Sequence, residues 1–301
     1  MKIEHPYGDL TGGRWLRGNL HTHTVHSDGA RSRQAVIDDY ADRGYDFLML
    51  SDHDVHTSLG DYEKVNNRGM VLIPGNEVTD KGEHLLHVNS ASRVAPAADR
   101  QVVLDAIATD NAGRAFAIVN HPNWNWRYGQ AEGQWSHAEQ AKLMEWRGYT
   151  GIEIFNGVIG RLEGSSYALD RWDQLLSKGR RVWGFANDDS HAAAGDVALG
   201  WNMVYARERS VEAIVSSMAA GRFYASTGVV ISKFAVVGDR IAVETENADR
   251  IVATGVGQQR FAVADAKRIE VKVPEGDAYV RFECWGRGEQ FAWTQPFFIK
   301  R

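Results

Sequence analysis

The chain has 301 residues, 44% of them hydrophobic and 24% charged, a composition that supports one sizeable core, or a large and a small one, and excludes a disordered or fibrous chain. A net charge of −5 and the lack of any Lys/Arg run exclude a broad face for gripping a nucleic-acid backbone, so a small-molecule partner is expected. The single cysteine, Cys284, excludes a disulfide framework and Cys-rich zinc modules, and leaves open a cation held by histidines and carboxylates.

The opening MKIEHPYGDL carries no apolar signal core, and no stretch of roughly 18 apolar residues follows, so a cytoplasmic protein with no membrane partner is expected. WLRGNL at 15 to 20 reads as a strand and leads to a helix from Ser32 to Gly44, with Ser32 as cap and Ala35, Ile37, Tyr40 and Ala41 as its apolar stripe. FLMLS, MVLIPG and HLLHV read as strands from 47, 70 and 84, and residues 100 to 113 as a helix ending at a glycine. AFAIVN, GIEIFN and RVWGFA continue the series from 115, 151 and 181, separated by helical stretches around 136 to 147 and 166 to 178. Apolar strands alternating with amphipathic helices imply a parallel sheet covered on its faces, closed or distorted into an α/β barrel over residues 1–228, with an open doubly wound sheet as the weaker alternative. After a last helix at 210 to 221, residues 229–301 alternate apolar and polar positions between VGD, PEGD and GRGE turns, which predicts a small C-terminal antiparallel β-sandwich.

Metal-capable residues close these strands. In HTH, His21 and His23 at i and i+2 of an extended segment point to one side and can grip one ion, and Asp28 follows in HSDG. SDHD offers His53 as a ligand, with Asp52 as the acid that would orient its ring, and Asp54 as a turn cap. Glu77 in PGNEVT is placed to bridge two cations, as a nitrogen ligand cannot. His84 and His87 face opposite sides of a strand, so only one can enter a site. NHP brings His121, with Pro122 turning the chain out of the sheet, and NDDSH brings Asp189 and His191.

With these pieces in order, the chain resembles the PHP (polymerase and histidinol phosphatase) superfamily. GNLHTHTVHSDG, FLMLSDHD, PGNEVT with GEHLL, VNHP and NDDSH carry the likeness over roughly residues 15 to 228. The resemblance implies a distorted seven-stranded (β/α)7 barrel and two or three divalent ions, with manganese, zinc or iron the usual occupants. It implies that His21, His23, Glu77 and Asp189 hold a first ion, that Glu77 bridges to a second held with His84 and His121, and that Asp28, His53 and His191 hold a third. The pattern selects His84 over His87. GFANDDSH, AAGRFYASTG and a β-rich end with QPFFI are similar to the branch that includes carbaryl hydrolase.

Three divalent ions set against three carboxylates would leave a positive site suited to an anion. The expected activity is therefore hydrolysis of a small phosphomonoester or phosphodiester by a metal-bridging hydroxide, with Glu77 and Asp189 in the catalytic cluster and Arg161 beside it. Arg161, Arg127, Trp124 and Trp126 are the expected substrate contacts, because a guanidinium matches phosphate and indoles stack on rings. Carbamate, amide or ester hydrolysis by the same cluster is the alternative, followed by nuclease-type end processing or a non-catalytic metal-binding role. His26, His56 and His87 are further imidazoles that could serve the leaving group, Trp135 and His137 read as a helix start, and a homo-oligomer is left open.

Overall fold

The computed structural model describes residues 1–125, 136–192 and 194–300. The fold is mixed α/β, with many strands and few helices. Arg14–Asn19, Phe47–Leu48 and Val71–Leu72 lie side by side as parallel strands. Gly75–Val78, Leu85–Val88, Phe116–Val119, Tyr149–Asn156 and Trp183–Asn187 form a second sheet in chain order. Isolated bridges stitch the two sheets together, His53 to Glu77 and Thr57 to Gly75 on one side, Thr22 to Ser190 on the other. Thr22, His53 and Ser190 each follow a strand, and Glu77 lies near the end of Gly75–Val78, so the strand ends bearing the histidines reach one rim.

The sheet is not wholly parallel, as the sequence pattern had implied. Gly75–Val78 pairs antiparallel with Leu85–Val88, which pairs antiparallel with Phe116–Val119. The cause is the short connection at residues 79–84, because a parallel crossover needs roughly a dozen residues. Glu77 in PGNEVT, expected just after the third strand, thereby lies on a strand of its own, Gly75–Val78.

Helices form where capping and apolar spacing agree. Ser32 Oγ accepts the Ala35 N–H at the start of Arg33–Asp42, and Val36, Ile37 and Tyr40 are buried by it. Ser210 Oγ accepts the Ala213 N–H at the start of Val211–Ala219, which buries Ile214, Val215 and Met218. Beneath the rim the core is filled by Leu16, Phe47, Met49, Ile73, Leu86, Ile118 and Phe185. Gly18 is required there, since a Cβ would stand 2.2 Å from the Phe47 ring.

Trp201–Ala206 lies antiparallel to Arg14–Asn19 and to Phe223–Ser226, which in turn pairs with Phe291–Thr294. The C-terminal strands thus continue a sheet begun in the first half of the chain. Lys2–Glu4 pairs with Phe297–Lys300, so both ends of the chain meet. Ile231–Val237, Arg240–Thr245 and Arg268–Lys272 form a separate three-stranded sheet. Ile241 and Val243 of this sheet pack in one apolar cluster with Ile251, Phe282 and the buried Cys284 of the larger sheet. Among the described residues, no helix is long and apolar enough to cross a membrane.

Candidate metal centre

Residues from six strand ends and their adjoining loops converge on the rim. His21 Nε2 lies 3.2 Å from Glu77 Oε1 and 3.1 Å from Asp189 Oδ1, and His23 Nε2 lies 3.1 Å from the same Asp189 oxygen. His53 Nδ1 is 2.7 Å from Glu77 Oε2, while His84 Nδ1 and His121 Nε2 are 3.2 and 3.5 Å from Glu77 Oε1. Asp28 completes the outer edge, 3.5 Å from His53 Nε2 and 3.4 Å from His191 Nε2. The structure therefore brings together His21, His23, Asp28, His53, Glu77, His84, His121, Asp189 and His191, with Glu77 at the middle.

These contacts are ion-pair distances, yet several of the atoms are not aligned to hydrogen-bond one another. His21 Nε2, His23 Nε2, His53 Nδ1, His84 Nδ1, Glu77 Oε2 and Asp189 Oδ1 are buried with no hydrogen-bond partner. Leaving so many polar atoms unsatisfied inside a protein costs roughly 1–3 kcal/mol each. Cations at the points these atoms share would satisfy them. Subsets such as His21, His23 and Asp189, or His23, Asp28, His53 and His191, offer donor atoms within 4.8 Å of one another. Imidazole and carboxylate without thiolate suit zinc, manganese or iron, so the residues present fit such ions.

The electrostatics of the protein alone point the same way. Burial opposes ionisation of Glu77 and Asp189, but the neighbouring imidazoles outweigh it and hold both carboxyls well below their usual range. Burial likewise opposes a charge on His53, and Glu77 and Asp28 overcome it, raising that ring to about 10. His23, more deeply desolvated and beside other histidines, is pushed down to about 4. The site holds concentrated negative charge that protons offset when nothing else does.

Local backbone fixes these side chains. Asp189 N–H donates to the His21 carbonyl and His23 N–H to the Ser190 carbonyl, tying the first strand of the site to the last. His121 and Asp189 both have positive φ, 26° and 56°, a strained conformation for such residues that persists only where surrounding bonds enforce it. Asn120 Nδ2 donates to Glu77 Oε1, and Glu153 Oε1 accepts from His21 Nδ1 at 2.8 Å.

Asp52 does not orient His53. Its oxygens accept the Thr24 N–H, the Thr24 hydroxyl and the Ser27 hydroxyl, each within 2.9 Å, and so pin the loop between His23 and Asp28. Successive residues of an extended segment point opposite ways, which is why sequence adjacency to His53 gave no contact. Asp54 caps a turn, accepting from Thr79 and the Asp80 N–H. His84 enters the site and His87 faces away, buried 3.1 Å from Asp110. His56 lies by the Ser90 carbonyl and His26 is exposed.

A cavity of about 250 Å³ opens over the centre. One side is formed by Asp28, His53, His84, His121, Asp189 and His191, the other by Trp124, Val158, Ile159 and Leu162. Trp124 stands edge-on to His84 and His121, with centroids 5.8 and 5.1 Å away. Arg161 lines the same cavity half-exposed, its Nη2 on the buried Asp196, which also accepts the His191 and Ala192 N–H groups. Trp126 and Arg127 lie outside the described residues. Sequence reasoning missed Glu153, Asn120 and His137, whose Nε2 accepts the His84 N–H at 2.9 Å.

No family model matches the chain, and no curated protein matches it. Among solved structures, a two-domain protein from Bacteroides vulgatus containing a predicted PHP-like metal-dependent phosphoesterase superposes with a TM-score of 0.56 at 18% identity, over 99% of this chain and 98% of that one. The two share a fold along essentially their whole lengths. A candidate metal-dependent phosphoesterase from Bifidobacterium adolescentis aligns at 13% identity over 58% of this chain and 87% of that one, with a TM-score of 0.41. An amidohydrolase from Chromobacterium violaceum, with bound sulfate and no metal, aligns at 17% identity over 60% and 89% with a TM-score of 0.39. These two likenesses are too loose to add to the first.

Proposed function

We propose that the protein is a metal-dependent phosphoesterase that hydrolyses a small phosphomonoester or phosphodiester carrying an apolar or aromatic group. The observation that carries this reading is the set of buried imidazole and carboxylate atoms around Glu77 that face one another without hydrogen-bonding. The shared fold with a PHP-like protein supports it, and so does reading the stitched sheets as a distorted barrel with a C-terminal β-sandwich.

In this reading His21, His23, Glu77 and Asp189 hold a first ion, Glu77 with His84 and His121 a second, and Asp28, His53 and His191 a third. Bound ions of manganese, zinc or iron supply Lewis acidity, which makes water a better nucleophile at neutral pH and offsets charge on the phosphoryl oxygens. Glu77 and Asp189, whose carboxyls the neighbouring imidazoles hold well below their usual range, keep the positive charge localised. Arg161, fixed by Asp196, donates to a phosphoryl oxygen. Trp124, Val158, Ile159 and Leu162 hold the organic portion and exclude water from that side. A cavity of about 250 Å³ suits a small anionic molecule and is too confined for a duplex.

The same apolar wall, with one arginine already engaged by an aspartate, favours a second reading, hydrolysis of an ester, amide or carbamate. A chelator-treated preparation should lose essentially all turnover and regain it with Mn²⁺ or Zn²⁺. Aryl phosphates tested beside aryl carboxyl esters then separate the two readings, and turnover that survives chelation would overturn both.

A further inference from the structure

Glu153 is the one carboxylate of the Tyr149–Asn156 strand, and its side chain is buried on the face opposite to Ile152 and Ile154, themselves fully buried. A buried charge of this kind is tolerated only when it is fully hydrogen-bonded. Both of its oxygens are. Oε1 accepts from His21 Nδ1 at 2.8 Å and from Asn187 Nδ2 at 2.9 Å, and Oε2 accepts from the His121 N–H and from Asn156 Nδ2, both at 2.8 Å. Every partner is a donor. One carboxylate thus reaches the ring of a residue from the first strand of the site and the backbone of a residue from its fifth.

The geometry points to Glu153 as the positioning residue of the centre. It commits His21 to the tautomer protonated at Nδ1, and it holds His121 in its strained backbone conformation. With the proton on Nδ1, the lone pair is on Nε2, the nitrogen 3.2 Å from Glu77 Oε1 and 3.1 Å from Asp189 Oδ1. That lone pair is what a cation there requires. The inference rests on the metal-binding reading above, and the test distinguishes its failure from the failure of that reading.

Glu153→Gln is nearly isosteric, yet its polarity is wrong at one end. The His121 N–H is a backbone donor and cannot reverse, so the amide oxygen must stay on that side. The amide NH₂ then meets His21 and Asn187. Asn187 cannot turn its amide over, because its Oδ1 already accepts the Leu20 N–H and Asn202 Nδ2. His21 must therefore accept at Nδ1 and carry its proton on Nε2, where it blocks the cation.

The experiment is a competitive titration of zinc against a chromophoric chelator, run on wild-type and Glu153→Gln protein stripped of metal, with thermal unfolding of both stripped proteins as a control. The expected result is an affinity about 10- to 100-fold weaker in the variant at the tightest site, with similar unfolding temperatures. A second measurement needs no variant: in the zinc-loaded wild type, two-bond ¹H–¹⁵N correlation should show His21 protonated at Nδ1 and unprotonated at Nε2. Equal zinc affinity in the variant, or the opposite tautomer in the wild type, overturns the role of Glu153. A wild type that binds no zinc overturns the metal-binding reading itself, and this inference with it.

Discussion

Replacing Asp173 by alanine should destabilise the protein more than almost any other single change away from the rim. Asp173 lies on the helix Leu169–Ser177 and is fully buried, as are Tyr279 and Arg281 of a C-terminal strand. Its Oδ1 accepts from Arg281 Nε at 2.7 Å and from the Tyr279 hydroxyl at 2.8 Å, and its Oδ2 accepts from Arg281 Nη2. Glu283 is 2.9 Å from Arg281 Nη1 but out of line for a hydrogen bond, so Asp173 is the principal partner of a guanidinium with no access to water. Removing one member of a buried ion pair costs roughly 3–5 kcal/mol, because the other charge stays desolvated. At about 2.1 cal/mol/K per residue, a 301-residue chain unfolds with an entropy near 0.6 kcal/mol/K, so the melting temperature should fall by about 5–8 °C. Scanning calorimetry on metal-free protein measures it. Asp173→Ala with Arg281→Met removes both charges and should recover most of the loss. A single variant that melts within about 1 °C of wild type, or a double variant as unstable as the single, would refute the reasoning.

Zinc binding should release protons, since His53 is raised to about 10 and His191 is raised as well by Asp28 and Asp189 against the opposing effect of burial, and a bound cation must displace what they carry. Affinity should then rise about tenfold per pH unit for each proton displaced, and calorimetry in buffers of different ionisation enthalpy that finds no release at pH 7 would contradict it. Away from the site, burial lowers His87 from 6.5 to about 4, so the folded state excludes a proton the unfolded chain accepts. Its contribution, about 3 kcal/mol, is complete above pH 6.5 and lost as the pH falls from there towards 4. In chelator, urea midpoints at pH 8 and pH 5 should differ less for His87→Leu than for wild type, and an unchanged difference counts against the assignment. Leu162→Asp should lower kcat/KM for an aryl phosphate about tenfold and leave zinc affinity unaltered; equal kinetics would remove Leu162 from the substrate wall.

Most of the residues that meet at the rim were legible because they flank apolar runs, and a strand end on a common edge is where distant side chains can converge. Alternation was enough to separate His84 from His87, which do lie on opposite faces of Leu85–Val88 and its flank. What escaped were the features set by contacts across the chain. Gly75–Val78 is too short and too polar to announce a strand, and it becomes one only by pairing with Leu85–Val88. Trp201–Ala206 and Phe223–Ser226 join the two halves of the sequence in one sheet, and Lys2–Glu4 finds its partner at the far terminus.

The supporting polar residues escaped for a different reason. Asp52 sits beside His53 in the sequence and holds a neighbouring loop, whereas Glu153 sits 132 residues from His21 and touches it. Nothing in local pattern gives such a pairing, but the energetics could have signalled that one exists. A glutamate between two isoleucines in a strand covered on both faces cannot be left without donors, so GIEIFN already requires buried partners somewhere in the fold. The strand end that carries Asn156 and the neighbouring strand end that carries Asn187 supply two of them, and the His21 ring and the His121 N–H supply the rest. The charge buried to support the centre is thus as constrained by physical chemistry as the ligands themselves, and only its address needed the structure.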